Sequence, residues 1–192
     1  METRERILAA ARQLMAQKGF KGATTRKISE LAGVNEGTIF RHFTNKRGLA
    51  IALLSEMLDI RQPLEESLQG DFSRIKEMLA GYARTYYNLM VDRKELFLIC
   101  VIEAENHPEV TKLYGSLPLT AIELLDAKLK DFQKEGHFLP GVDTWPAAAM
   151  FLAVFFQMFM AKYRLGLDLP SSEEEVFEQA ANTLLYGILA TK

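Results

Sequence analysis

The sequence holds a single cysteine, Cys100, among 192 residues, so no intramolecular disulfide can form and the fold must rest on packing, as suits a reducing compartment. Histidine is also scarce, at three in the whole chain. Cys100, Glu103 and His107 fall at i, i+3, i+7, but three such residues without a second cluster read as an ordinary helix face, so no metal is expected. Nucleophile-elbow and phosphate-loop sequences are absent, and with them any candidate catalytic residue or cofactor, so the chain is not read as an enzyme. The amino terminus, METRERILAA, is charged where a secretory signal would be apolar, which places the expected location in the cytoplasm. One long apolar run occurs, the seventeen residues from Trp145 to Ala161, broken only by Gln157. It is short for a bilayer span and is expected to be a buried helix. No strand-like alternation of any length appears, so the predicted fold is all-α.

What is present is unevenly placed. The overall formal charge of -2 does not suggest a nucleic-acid partner. Residues 1–50, however, carry ten Lys or Arg against four acids, a net of +6, while the other 142 residues carry 13 bases and 21 acids, a net of -8. A basic head on an acidic body implies that only the head approaches a phosphate backbone.

Within that head, Thr3 to Lys18 forms a helix with Ile7, Leu8, Ala11, Leu14 and Met15 on one face, closed by Gly19. Thr24 or Thr25 caps a second helix, whose stripe is Ile28, Leu31 and Ala32. Gly33 supplies a left-handed turn, and Asn35 caps a third helix on which Ile39 and Phe43 share the buried side. Gly37, Thr38, Arg41 and His42 then share the side away from it, a set of donors and open backbone suited to a DNA groove. Thr44 and Asn45 cap the helix that begins at Lys46, where a cation and free N–H groups would meet a phosphate.

The TTRKIS helix start, the Ala32-Gly33-Val34 turn, Gly37-Thr38-Ile39-Phe40, Phe43 and Asn45-Lys46 together resemble the DNA-binding domain of the TetR family of bacterial transcriptional regulators. The match covers roughly the first quarter of the chain. It implies an N-terminal helix-turn-helix domain, residues 1–46, followed by a helical effector-binding and dimerisation domain, residues 47–192. It also implies that Thr25, Arg26, Thr38, His42 and Lys46 touch DNA, with Lys46 on a phosphate. Two positions depart from the family pattern. Glu36 is acidic where a small or basic residue is usual, and either accepts from a cytosine amino group or faces solvent. Phe40 lacks the hydroxyl of the usual tyrosine and forfeits one phosphate contact.

Beyond the head, Leu49, Ala50, Leu53, Leu54, Met57 and Leu58 continue the Lys46 helix toward the body, and Pro63 stops or kinks it. Gly70-Asp71 breaks the chain before a helix to Val91, and the nearly all-apolar LFLICVI segment predicts a helix central to the body. Pro118 opens a helix to about Lys134, with Ile122, Leu125, Leu129 and Phe132 inward, and Gly136 closes it. The Trp145–Leu165 segment, apolar around its circumference, is expected to meet a second copy along one face. A last helix follows a Ser172/Glu175 capping box.

The expected homodimer interface is Phe155, Phe159, Phe177, Ala181, Leu184 and Ile188. Candidates to line a site for an apolar small-molecule effector, which the family resemblance implies, are Tyr86, Met90, Phe97, Cys100, Trp145 and Phe156, all equally suited to plain core. The expected function is a repressor that binds a palindromic double-stranded DNA operator as a homodimer and is released by that effector. Its rivals are a helical ligand-binding or enzymatic protein and an architectural DNA binder indifferent to sequence.

Overall fold

A computed structural model describes residues 2–57, 60–103 and 108–188. Among these residues the regular structure is entirely helical, as the apolar periodicity predicts. Contacts divide the chain into two compact units, Met1–Asp59 with Arg93–Gly115, and Ile60–Asp92 with Ser116–Lys192.

In the first unit α1 (Thr3–Gly22) packs against α2 (Thr25–Ala32), α4 (Lys46–Met57) and α7 (Lys94–Glu103), and α3 (Glu36–Phe43) packs against α2 and α4. Its interior is aliphatic. Ile7, Leu8, Ala11, Ile28, Ile39, Leu49 and Leu53 are buried there, together with Phe43, Cys100 and Val110. Burial pushes the Cys100 thiol up to about 12, so it stays protonated at neutral pH. Gly19 breaks α1 with φ 67°, although one more helical turn carries on to Gly22. The expectation that the LFLICVI helix is central to the body is corrected. That helix is α7, and it packs on α1 in the first unit, where Cys100 joins the aliphatic core. The side chains of Ala50, Leu54 and Met57, and all of Leu58, fall outside the described residues.

The second unit is built around α6 (Ile75–Val91), which packs against α5 (Arg61–Ser67), α9 (Thr144–Phe159) and α10 (Glu173–Ile188). Its core is richer in aromatic side chains, with Tyr82, Tyr87, Phe155 and Phe159 among its largest fully buried ones. Two tyrosine hydroxyls in that core have acceptors among other elements. Tyr82 donates to the Ala121 carbonyl at 2.6 Å, and Tyr87 donates to Glu173 Oε1 at 2.8 Å. Lys162 also donates to Glu173 at 2.8 Å, and Arg84 pairs with Glu174, so the start of α10 is pinned at several points. Burial pushes the Glu173 carboxyl up, but the hydrogen bonds from Lys162 and Tyr87 outweigh it and hold the group below the usual range.

Two prolines bear on helix boundaries, Pro63 as an expected stop or kink and Pro118 as an expected helix start. Pro63 sits in the first turn of α5, where no intrahelical N–H is needed. Pro118 lies inside α8 (Pro108–Lys134) and does not open it, so the proline at the start of that helix is Pro108. Gly136, with φ 84°, closes α8 as expected. The Thr144–Arg164 segment is long and apolar enough to cross a membrane by length and composition, yet half of its apolar window is buried inside the protein.

Candidate nucleic-acid interface

Three successive helices of the head begin with the same device. The Thr24 hydroxyl accepts from the Lys27 amide, Asn35 Oδ1 accepts from the Thr38 amide at 2.8 Å, and Asn45 Oδ1 accepts from the Gly48 amide at 2.8 Å. Each satisfies an amide that the helix itself cannot pair, worth about 1 kcal/mol. Of the two threonines that could cap α2, Thr24 does so and Thr25 is the first helical residue. The α2–α3 turn is set by Gly33 at φ 65°, with its amide bonded to Glu30 and the Val34 amide bonded to Ser29. That paired arrangement needs a left-handed residue, for which glycine carries no Cβ penalty.

The turn between α3 and α4 is tighter still. Thr44 adopts φ 64°, and a Cβ placed on Gly48 would lie 2.1 Å from the Phe43 carbonyl oxygen. Only a residue without a side chain lets the end of α3 approach the start of α4 this closely. Gly48 is therefore a functional position that the motif reading missed; its signal was a glycine placed two residues after Lys46, inside a sequence of good helix formers.

The candidate contact residues occupy this frame as follows. Arg41, His42 and Gly37 are exposed on α3, opposite buried Ile39 and Phe43. Glu36 is half-buried in the first turn, Lys46 is half-buried at the start of α4, and Thr25 is half-buried on α2. Arg26 is exposed and pairs with Glu30 at 3.1 Å, a solvent-screened contact that a phosphate can displace at little cost.

Two expectations about side-chain direction are corrected. Thr38 is only 8% exposed: its hydroxyl donates to Asn35 Oδ1 at 2.9 Å and accepts from Arg41 Nη2 at 3.2 Å, so it braces Arg41 from within the surface. Leu31, assigned to the buried stripe of α2, is 47% exposed, and Ser29 takes the inward place by donating its hydroxyl to the Arg26 carbonyl.

In the second unit four of the six expected interface residues prove to be buried within the chain. Phe155, Phe159, Phe177 and Ala181 are buried by their own chain, through edge contacts such as Phe155 with Phe151 and Tyr87 with Phe177, and so have no surface to offer a second copy. Leu184 is half-buried, and the Ile188 side chain lies outside the described residues. The outward sides of α9 and α10 instead frame an open groove of about 650 Å³, whose lining includes Met150, Val154, Val176, Ala180 and Leu184. Met150 is 67% exposed and Val154 42%, the outer half of a helix that is apolar all round.

The six proposed effector-contact residues are not gathered in that groove. Phe97 and Cys100 belong to the first unit's core, Tyr86 and Met90 are buried in the second, Phe156 is half-buried and Trp145 is exposed. Among the described residues no group of three or more His, Cys, Asp or Glu is placed to hold a metal ion; the Glu103 side chain and His107 are not among them.

Known proteins resemble the chain in sequence and in fold. Residues 7–53 match the family model of bacterial regulatory proteins of the tetR family. The helix-turn-helix transcriptional regulator YvkB of Bacillus subtilis (strain 168), itself uncharacterised, is 31% identical over 191 residues, 98% of each chain. A crystal structure from Mesorhizobium loti MAFF303099, described as a TetR-family transcriptional regulator, superposes with a TM-score of 0.83 at 17% identity, covering 98% of this chain and 97% of that one. The regulator FadR from Bacillus subtilis in complex with stearoyl-CoA gives 0.73 at 21% identity, covering 96% and 98%.

Proposed function

The chain belongs to the tetR family of bacterial regulatory proteins, and from that premise we propose that it is a cytoplasmic, homodimeric repressor that binds a palindromic operator and is released by a small-molecule effector. The observation that carries this reading is the outward face of α3, where Gly37, Arg41 and His42 stand clear of the core on a helix fixed at its start by the Asn35 cap and at its end by the tight, Gly48-dependent turn into α4. Residues 1–46 read the DNA, and residues 47–192 bind the effector and form the dimer. Arg41 and His42 donate to base acceptors, Gly37 and Glu36 set how closely the backbone approaches, and Thr38 holds Arg41 in place. Thr25, Arg26 and Lys46 meet phosphates, drawn by the +6 charge of the first 50 residues. No step of this mechanism is enzymatic.

The second copy sits on the groove between α9 and α10, where Met150 and Val154 leave an apolar surface uncovered by their own chain. A two-fold axis there repeats α3 on the other subunit, so the half-sites lie about one helical turn apart or a multiple of it. The apolar interior around Tyr86 and Met90, and a fold shared with a regulator solved with stearoyl-CoA, support an apolar effector. An effector that binds about a hundredfold better to the form with the wrong head spacing supplies roughly 2.7 kcal/mol of coupling.

Selection of bound duplexes from a random pool, followed by mobility-shift titration, tests the reading. Recovery of an inverted repeat with that spacing supports it, and salt-sensitive binding without sequence preference overturns it. For the dimer, Val154→Glu yields monomers in sedimentation velocity; a mutant that still sediments with the wild-type dimer removes this face from the interface.

A further inference from the structure

We propose that Phe40 is a specificity-determining residue, packing against the C5-methyl group of one thymine in each operator half-site. The inference rests on α3 being the helix that enters the major groove. Phe40 lies on α3 beside Arg41 and is 44% exposed, whereas the other two large apolar side chains of that helix, Ile39 and Phe43, are 0% and 6% exposed. Its ring is therefore not part of the head's core. On a helix, a side chain leans toward the amino terminus and covers the turn before its own Cα. Here that turn is Glu36-Gly37, and Gly37 contributes no side chain to hold the ring away from a bound surface.

Base edges in the major groove are a row of donors and acceptors, with one apolar group among them, the thymine methyl. A phenyl ring can neither donate nor accept a hydrogen bond. Set over a cytosine amino group or a guanine carbonyl it would leave that group without a partner, and set over a thymine methyl it buries apolar area on both sides. Phe40 thus selects for thymine and against the other bases at one step, next to the step contacted by Arg41.

The test is a thermodynamic cycle on the selected operator with deoxyuridine replacing one thymine at a time, symmetrically in both half-sites, so that only the methyl is removed. At one position wild-type protein binds the uracil duplex about fourfold more weakly per half-site, the worth of one buried methyl. Phe40→Ala loses that discrimination and binds thymine and uracil duplexes equally, whereas Phe40→Tyr, which keeps the ring, retains it. The proposal is overturned if wild type tolerates uracil at every thymine, if Phe40→Ala keeps the same penalty, or if the selected half-site contains no thymine. Failure of wild type to select any sequence instead overturns the reading of α3 itself, a separate outcome visible before uracil is introduced.

Discussion

The first compact unit has a largely aliphatic interior and the second one richer in aromatic rings, and the two are held in shape by different means. In the first, α1 to α4 are joined by turns of two or three residues, and geometry is set by the hydrogen bonds of Thr24, Asn35 and Asn45 and by the bare backbone at Gly33 and Gly48. In the second, the helices are set by large side chains such as Tyr82, Tyr87, Phe155 and Phe159. A surface that must match a DNA groove needs its backbone placed accurately, which caps and glycines achieve.

The contrast predicts which substitutions each unit cannot bear. The largest loss is expected from Phe155→Ala, about 3–5 kcal/mol for an enclosed aromatic. Trp145, the single tryptophan, lies on α9 in the same unit, so its fluorescence reports the lowered denaturant midpoint directly. Gly48→Ala comes next, at about 1–3 kcal/mol, because the added methyl meets a carbonyl oxygen and α3 must shift from α4. It abolishes selective DNA binding and lowers amide protection in α3 and α4 while leaving the Trp145 transition in place. An equal shift of that transition would mean that the two units unfold together, and the contrast would fail. Lys46→Ala gives the smallest effect: the slope of log affinity against log salt falls by about one unit with base preference unchanged. A changed preference would place Lys46 among the base readers.

Much of the head was legible in the sequence because its determinants are local. A cap and the amide it serves are three residues apart, and Gly33 sits one residue beyond the last helical position, so spacing alone identifies both. What was not legible depends on partners distant along the chain. The helix containing Cys100 is apolar on nearly every side, and no periodicity says which neighbour it will meet, so α7 was assigned to the body although its core lies with α1. The same ambiguity put enclosed residues among the outward ones: on a helix that is apolar all round, Phe155 and Val154 differ only in which one α6 and α10 cover. Thr38 was misjudged because an Asn-x-x-Thr sequence shows the cap but not the second hydrogen bond from the hydroxyl that turns the side chain inward. Pro118 misled because a proline permits a helix start without requiring one.

The enclosed thiol of Cys100 makes the native protein a blank background for site-directed labelling. A cysteine installed at exposed Tyr186 or Arg41 would be the only one to react with a maleimide spin label at neutral pH. In the proposed homodimer, electron-paramagnetic distances between copies could then be read with and without candidate effectors, with no need to delete a native residue first.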